Sequence, residues 1–223
     1  MAEVLLLNTE IFQDSAVFEK AFADVSDRRK EKILSCRQKK DRLLSLGAGV
    51  LLDRALSAYG LREKDMAITA GPYGKPAFSD GKPFAFSLSH SGERALLAVS
   101  DSTVGCDIEK IREIDLRIAD RFFSESENAY IRTATGKEEA KRRFFRVWVR
   151  KESFLKALGT GIGNLNGNFD TVEKEGKTLP VTVNEKAYAF SEYSADGYEA
   201  AVCLPAGEEC CFHIITLSQV VEI

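Results

Sequence analysis

In the stretch VGCDIEK, Val104 to Lys110, two carboxylates stand one residue apart within an otherwise apolar run. Successive side chains of an extended strand point to opposite faces, so Val104, Cys106 and Ile108 share one face while Asp107 and Glu109 share the other. Aspartate is a poor strand former, so its presence there raises a question of chemistry. Two carboxylates brought to roughly 4 Å repel by about 4 kcal/mol at an effective dielectric of 20, equivalent to about three pKa units. A divalent cation reverses the sign of that interaction. A ligand set made only of oxygen suits Mg2+, which keeps several waters and completes its shell with phosphate oxygens. The solvated outer face of an edge strand accounts for the same two acids without a metal.

A third acid stands in WVRKESFLK, where Trp148, Glu152 and Lys156 recur every four residues and so share one helix face, with Lys151 beside them. The plainer reading is a surface Glu-to-Lys pair with Trp148 in the core. In FSLSHSG, Ser87, Ser89 and Ser91 share a strand face and His90, one of two histidines, falls at the strand's end. His90 suits a phosphate donor or a hydrogen-bonded structural histidine equally. Gly71 and Gly74 of GPYGKP permit close backbone approach to a flat ligand next to Lys75, or simply a turn. The runs Asp27 to Lys32 and Arg37, Lys39, Lys40, Arg42 fit a charged helix face, or an anchor for an anionic ligand. SESE, Ser124 to Glu127, has the spacing of a capping box.

The elements that must hold these residues follow from pattern. A strand over Val4 to Leu7 precedes a helical block from Ser15 to Tyr59, stopped by Gly60. FAFSLSH, RALLAVS and VGCDIEK are three short strands of one small sheet, with AGPYGKP as a turn before them. Helices near Asp115 to Tyr130 and Lys137 to Leu158 come next, followed by candidate strands NFDTVEK, LPVTV, AYAFSEYS, YEAAVCLP and CFHIITL, with a hairpin at Asp196-Gly197. Helices then strands, twice, imply an α+β chain of two lobes. The 223 residues, 44% hydrophobic and 29% charged, suffice for such a core. A net charge of −3 argues against nucleic acid as the partner. Five scattered cysteines without CxxC spacing fit reduced thiols in a cytoplasmic protein, and VLLL is too short for a signal core or a membrane span.

Taken in order, GKP, FSLSHSG, VGCDIEK, RFFSESE and WVRKESFLKALGTGI resemble the 4'-phosphopantetheinyl transferase superfamily. The specific part is the acid-x-acid strand followed about 40 residues later by W-x-x-K-E-x-x-x-K. Length and element order resemble the larger, two-lobed, surfactin-synthetase-activating type. The resemblance implies two similar lobes related by a pseudo-twofold, each a small antiparallel sheet packed with helices, over 1–104 and 105–223, with the active site in the cleft between. It implies transfer of the 4'-phosphopantetheine arm of coenzyme A to a serine of an apo acyl or peptidyl carrier protein, releasing adenosine 3',5'-bisphosphate. By the same resemblance Asp107, Glu109 and Glu152 hold Mg2+ against the pyrophosphate. Glu152 takes the serine proton, directly or through a metal-bound water, and Lys151 and Lys156 stabilise charge on the pyrophosphate and leaving group. Ser89 and His90 contact phosphate, Gly74, Lys75 and Pro76 border the adenine, and Arg29 and Lys32 meet the 3'-phosphate. Where the family often has a basic residue before a Ser or Thr, this chain has Leu44 before Ser45, and Arg42 points elsewhere.

Two rival readings use the same acids. A metal-dependent nuclease with a D…ExK pattern is disfavoured by Lys110, which follows Glu109 directly and therefore faces the other way. A non-catalytic module that binds coenzyme A or a carrier protein is disfavoured by the presence of all three acids. The basic cluster Lys141, Arg142, Arg143, Arg146 is a candidate surface for an acidic carrier. A monomer is sufficient, since a cleft between two lobes needs no second subunit.

Overall fold

The computed structural model describes residues 1–79, 84–161, 169–173 and 176–221. Strand β1 (Ala2–Asn8) is followed by helices α1 (Ser15–Asp24), α2 (Asp27–Ser35) and α3 (Lys39–Ser57). The helical block expected over Ser15 to Tyr59 is broken twice. Ser26 caps α2 by accepting from Arg29 N, and Cys36 and Gln38 are extended before α3 begins. Gly60, at φ +69°, follows the last turn as expected.

β2 (Ile68–Ala70) and β3 (Pro76–Phe78) form a short antiparallel hairpin around the segment read as a turn. β4 (Ala85–Ser91), β5 (Arg94–Ser100) and β6 (Gly105–Lys110) follow. α4 (Ala119–Phe122) and α5 (Glu125–Arg132) replace the single helix expected from Asp115 to Tyr130, because the Ser124–Glu127 capping box starts a new helix. α6 (Lys137–Leu158) has the expected bounds, and β7 (Val181–Val183), β8 (Lys186–Ala195), β9 (Tyr198–Pro205), β10 (Cys210–Ile215) and α7 (Leu217–Val221) complete the chain. Asp196 and Gly197 both take positive φ in the β8–β9 hairpin, as their sequence predicts. Of the candidate strand NFDTVEK, Asn168 and Lys174 lie outside the described residues, as does Ile162 of the α6 signature; Val172 forms an isolated bridge with Thr178.

The three strands of 84–110 do not form one sheet. One sheet has the order β10-β1-β5-β4 and a second the order β6-β9-β8-β7; all pairs are antiparallel except β1 with β10. Gly105 explains the departure of β6: a Cβ there would run into the Ser153 carbonyl oxygen and the Ala157 backbone, so the strand lies directly on α6. Its other face is apolar and supplies a shared core. Val4, Leu6, Leu96 and Ala98 of the first sheet pack against Cys106, Ile108, Ala200 and Val202 of the second. The alternate residues Leu5, Leu7, Leu97 and Val99 pack with Ala21, Ile33, Leu46 and Leu51 of α1, α2 and α3. On the far side of the second sheet, Phe154 and Ala157 of α6 meet Tyr188 and Cys203. The result is an α+β protein in four layers: helices, sheet, sheet, helix. Each fully buried Leu or Phe contributes about 1.5–3 kcal/mol.

Candidate functional site

Asp107 and Glu109, on the face of β6 away from the shared core, line a cavity of about 730 Å³ together with Trp148, Glu152 and Lys156 of α6 and Ser89 and His90 of β4. The four-residue spacing along α6 puts its three side chains in one row, and Gly105 brings that row onto β6. Lys156 Nζ donates to Asp107 Oδ1 at 2.7 Å and to Ser89 Oγ at 3.0 Å, while Ser89 Oγ donates to Asp107 Oδ1 at 2.7 Å. Glu109 Oε2 accepts from Ser91 Oγ at 2.7 Å.

Two carboxylate oxygens in this cavity wall, Asp107 Oδ2 and Glu152 Oε1, are buried without a hydrogen-bond partner. Leaving a buried charged acceptor unsatisfied costs upwards of about 1–3 kcal/mol, which positive charge would relieve. Burial and the neighbouring Asp107 and Glu109 push the Glu152 carboxyl up to about 7. Burial likewise raises Glu109, against the lowering effect of the Ser91 hydrogen bond. Oxygen-only donors with orphaned atoms fit Mg2+. Among the described residues, however, no three His, Cys, Asp or Glu side chains are gathered into a preformed metal cage. The acids share a cavity, and Lys156 rests against Asp107.

A second group of lining residues is rich in cations. Arg28, Arg29 and Lys32 of α2 line the cavity with Asp41 and Ser45 of α3 and with Pro76. Arg29 Nε stands 3.5 Å from Glu63 Oε1, and Arg28 donates to the Ile68 carbonyl at 2.9 Å. Burial, then Arg29, lowers the Lys32 pKa; burial, then Lys156 and Lys32, lowers that of His90. Ser45 Oγ is buried without a partner. Leu44 belongs to the buried core and Arg42 donates to the Cys36 carbonyl, so neither reaches the cavity. Asp41 is a lining residue that motif reading passed over, while Arg28 was read only as part of a charged run and Ser45 only by its place after Leu44. Their signal is helical spacing: Arg28, Arg29 and Lys32 recur on one side of α2, and Asp41, Ser45 and Ala48 on one side of α3.

Other predicted residues stand elsewhere. Lys151 is completely buried, with Nζ 2.9 Å from Glu127 Oε2 and donating to the Phe169 carbonyl at 2.7 Å, so it is not part of the cavity wall. Its place one residue from Glu152 turns it to another side of α6. Gly74 sits at φ +83° in the β2–β3 turn, and Lys75 donates to the Val104 carbonyl at 2.8 Å; of that trio only Pro76 lines the cavity. The basic cluster is neutralised internally: Lys141 by Glu113 and Glu138 at 2.6 Å each, Arg143 by Glu139 at 3.0 Å, and Arg142 and Arg146 by Glu199 at 4.0 and 3.5 Å. It is not a free basic surface. Lys110 pairs with Glu93 at 2.7 Å, away from the acids.

Residues 103–203 match the sequence profile of the 4'-phosphopantetheinyl transferase superfamily. The chain is 31% identical over 189 residues to 4'-phosphopantetheinyl transferase Sfp of Bacillus subtilis (strain 168), covering 83% of this chain and 84% of that protein. It is 39% identical over 163 residues to 4'-phosphopantetheinyl transferase AcpT of Salmonella typhimurium (strain LT2), covering 72% and 75%. Among solved structures, a holo-[acyl-carrier-protein] synthase (AcpS) of Thermotoga maritima overlaps 46% of this chain and 62% of its own at 22% identity and a TM-score of 0.34.

Proposed function

The chain belongs to the 4'-phosphopantetheinyl transferase superfamily and is an enzyme that transfers phosphopantetheine to carrier proteins; we propose that it takes the group from coenzyme A and attaches it to a carrier serine in the cavity between β6, α6 and α2. One observation carries this: a single cavity is lined by Asp107, Glu109 and Glu152, two of them with orphaned oxygens, and also by the cations Arg28, Arg29 and Lys32, which stand beside Asp41 and Glu63. A molecule bearing a pyrophosphate and a separate further phosphate suits both groups.

In this reading Asp107, Glu109 and Glu152 hold Mg2+, which when bound neutralises charge on the pyrophosphate. Glu152 receives the proton of the carrier serine. Lys156 supplies positive charge beside the leaving phosphate. Ser89 and His90 bind phosphate, Arg29 and Lys32, with Arg28, bind the 3'-phosphate, and Pro76 borders the adenine at the turn made by Gly74 and Lys75. The released product is adenosine 3',5'-bisphosphate.

We assign the two lobes to 1–104 and 105–223 and relate them by a pseudo-twofold. In support, 1–104 supplies three strands of one four-stranded sheet, completed by β10, and 105–223 supplies all four of the other, each sheet being backed by a long helix, α3 or α6. One chain supplies every group of the cavity, consistent with a monomer. Among the described residues no helix is long and apolar enough to cross a membrane and the five cysteines are free, which agrees with a cytoplasmic enzyme.

The test is mass spectrometry of apo acyl and peptidyl carrier proteins incubated with the protein, coenzyme A and Mg2+. A gain of one phosphopantetheine on the carrier serine is expected, lost when Mg2+ is chelated. A gain that persists in full under chelation would remove the metal from the reading.

A further inference from the structure

β4 and β6 belong to different sheets, yet they lie side by side, joined by serine hydroxyls instead of a backbone ladder. Cys106 N donates to Ser87 Oγ at 3.0 Å, Ile108 N to Ser89 Oγ at 3.4 Å and Lys110 N to Ser91 Oγ at 3.1 Å. These are alternate N–H groups of an edge strand, the ones that point outward from its sheet and need partners. A hydroxyl carries one proton. With its oxygen accepting from β6, Ser91 spends that proton on Glu109 Oε2 at 2.7 Å, as Ser89 does on Asp107 Oδ1. Ser89 also accepts from Lys156 and lines the cavity; Ser91 is absent from the lining. Ser87 contacts no carboxylate among the described residues.

We propose that Ser91 is a positioning residue for the cation: by bonding the β6 backbone and the Glu109 carboxylate at once, it fixes Glu109 in the cavity wall and thereby sets the Mg2+ affinity without touching substrate. The proposal rests on the reading that Asp107, Glu109 and Glu152 hold Mg2+. Residues that orient a ligand in this way carry on the order of 10- to 100-fold in metal affinity. Ser91 also ties β4 to β6, the strands that present His90 and Glu109 to the cavity.

Titration calorimetry of Mg2+ into the full chain saturated with coenzyme A, without carrier and so without turnover, tests this on the wild type, Ser91→Ala, Ser91→Thr and Ser87→Ala. Ser91→Ala should raise the Mg2+ dissociation constant about tenfold or more. Ser91→Thr, which keeps the hydroxyl, should restore it. Ser87→Ala removes a backbone rung but no carboxylate contact, so it should lower thermal stability while leaving Mg2+ affinity unchanged. In the transfer assay the half-saturating Mg2+ of Ser91→Ala should rise by the same factor, with kcat at saturating Mg2+ retained. Unchanged affinity in Ser91→Ala, or an equal loss in Ser87→Ala, overturns the inference. A wild type that transfers the group yet takes up no Mg2+ overturns the metal reading beneath it, and the inference with it.

Discussion

Glu152, proposed as a metal ligand and base, is destabilising in the ligand-free protein. Its carboxyl is buried and faces Asp107, so its pKa stands at about 7 against an ordinary 4.5. The folded state therefore binds the proton more tightly than the unfolded chain. The associated stability is fully present below about pH 4.5 and is lost as pH rises through about 7. By pH 8, without metal, the charge costs on the order of 3 kcal/mol. Glu152→Gln should accordingly be more stable than the wild type in urea at pH 8 with chelator, and the difference should shrink toward pH 5. The same variant should lose transfer by at least about 100-fold. A variant less stable than wild type at pH 8 would show that the carboxylate is not strained. Lys151 is the opposite case. It forms a buried pair with Glu127, and removing one partner of such a pair costs about 3–5 kcal/mol. Lys151→Met should therefore lower unfolding stability by that amount, and Lys151→Met with Glu127→Gln should recover part of it; a Lys151→Met protein of wild-type stability with abolished transfer would instead put Lys151 at the substrate. The four-residue spacing made Glu152 and Lys156 legible. The partner of Lys151 was not, because Glu127 read only as a capping residue and its burial comes from packing across the chain.

At the scale of elements, the site depends on one close approach. β6 reaches α6 through Gly105, where any side chain would collide with backbone atoms of Ser153 and Ala157. Backbone cannot move aside as a flexible side chain can, so overpacking here separates strand from helix and Asp107 from Lys156. Gly105→Ala should cost about 2 kcal/mol or more in urea unfolding and raise the half-saturating Mg2+ of transfer; an unaffected protein would mean that the contact is loose. The bounds of α6 and β9 were legible because local pattern specifies them: acidic residues open α6, Gly159 closes it in the left-handed conformation, and Asp196-Gly197 turns the hairpin before β9. The sheet to which β6 belongs was not legible. Its partner β9 lies far along the chain, and an apolar strand beside β5 looks locally the same as one beside β9. The basic cluster on α6 misled for a related reason, since Glu199 and Glu113, which neutralise it, come from distant segments.

For the whole molecule, the proposed lobes are not independent bodies. Val4, Leu6, Leu96 and Ala98 of the first are buried in one cluster with Cys106, Ile108, Ala200 and Val202 of the second, and β1 is flanked on its outer side by β10, with Ala2 paired to Cys210 and Leu7 to Ile215. Residues 1–104 alone would expose that apolar face to water and leave the β1 edge without hydrogen-bond partners. Each of the four side chains is small or medium, but together their lost burial is worth several kcal/mol at about 25 cal/mol per Å², comparable with the whole stability of a domain this size. Separate expression of 1–104 and 105–223 should therefore yield fragments without cooperative unfolding, whereas mixing or co-expressing them should restore a single transition and transfer activity. The restored activity should survive the break, because it falls between β5 and β6, outside the cavity wall. If 1–104 alone unfolded cooperatively with dispersed amide resonances, the shared core and the returning strand would be accessory to its fold. The cleft would then be a joint between two stable bodies instead of the product of their folding together.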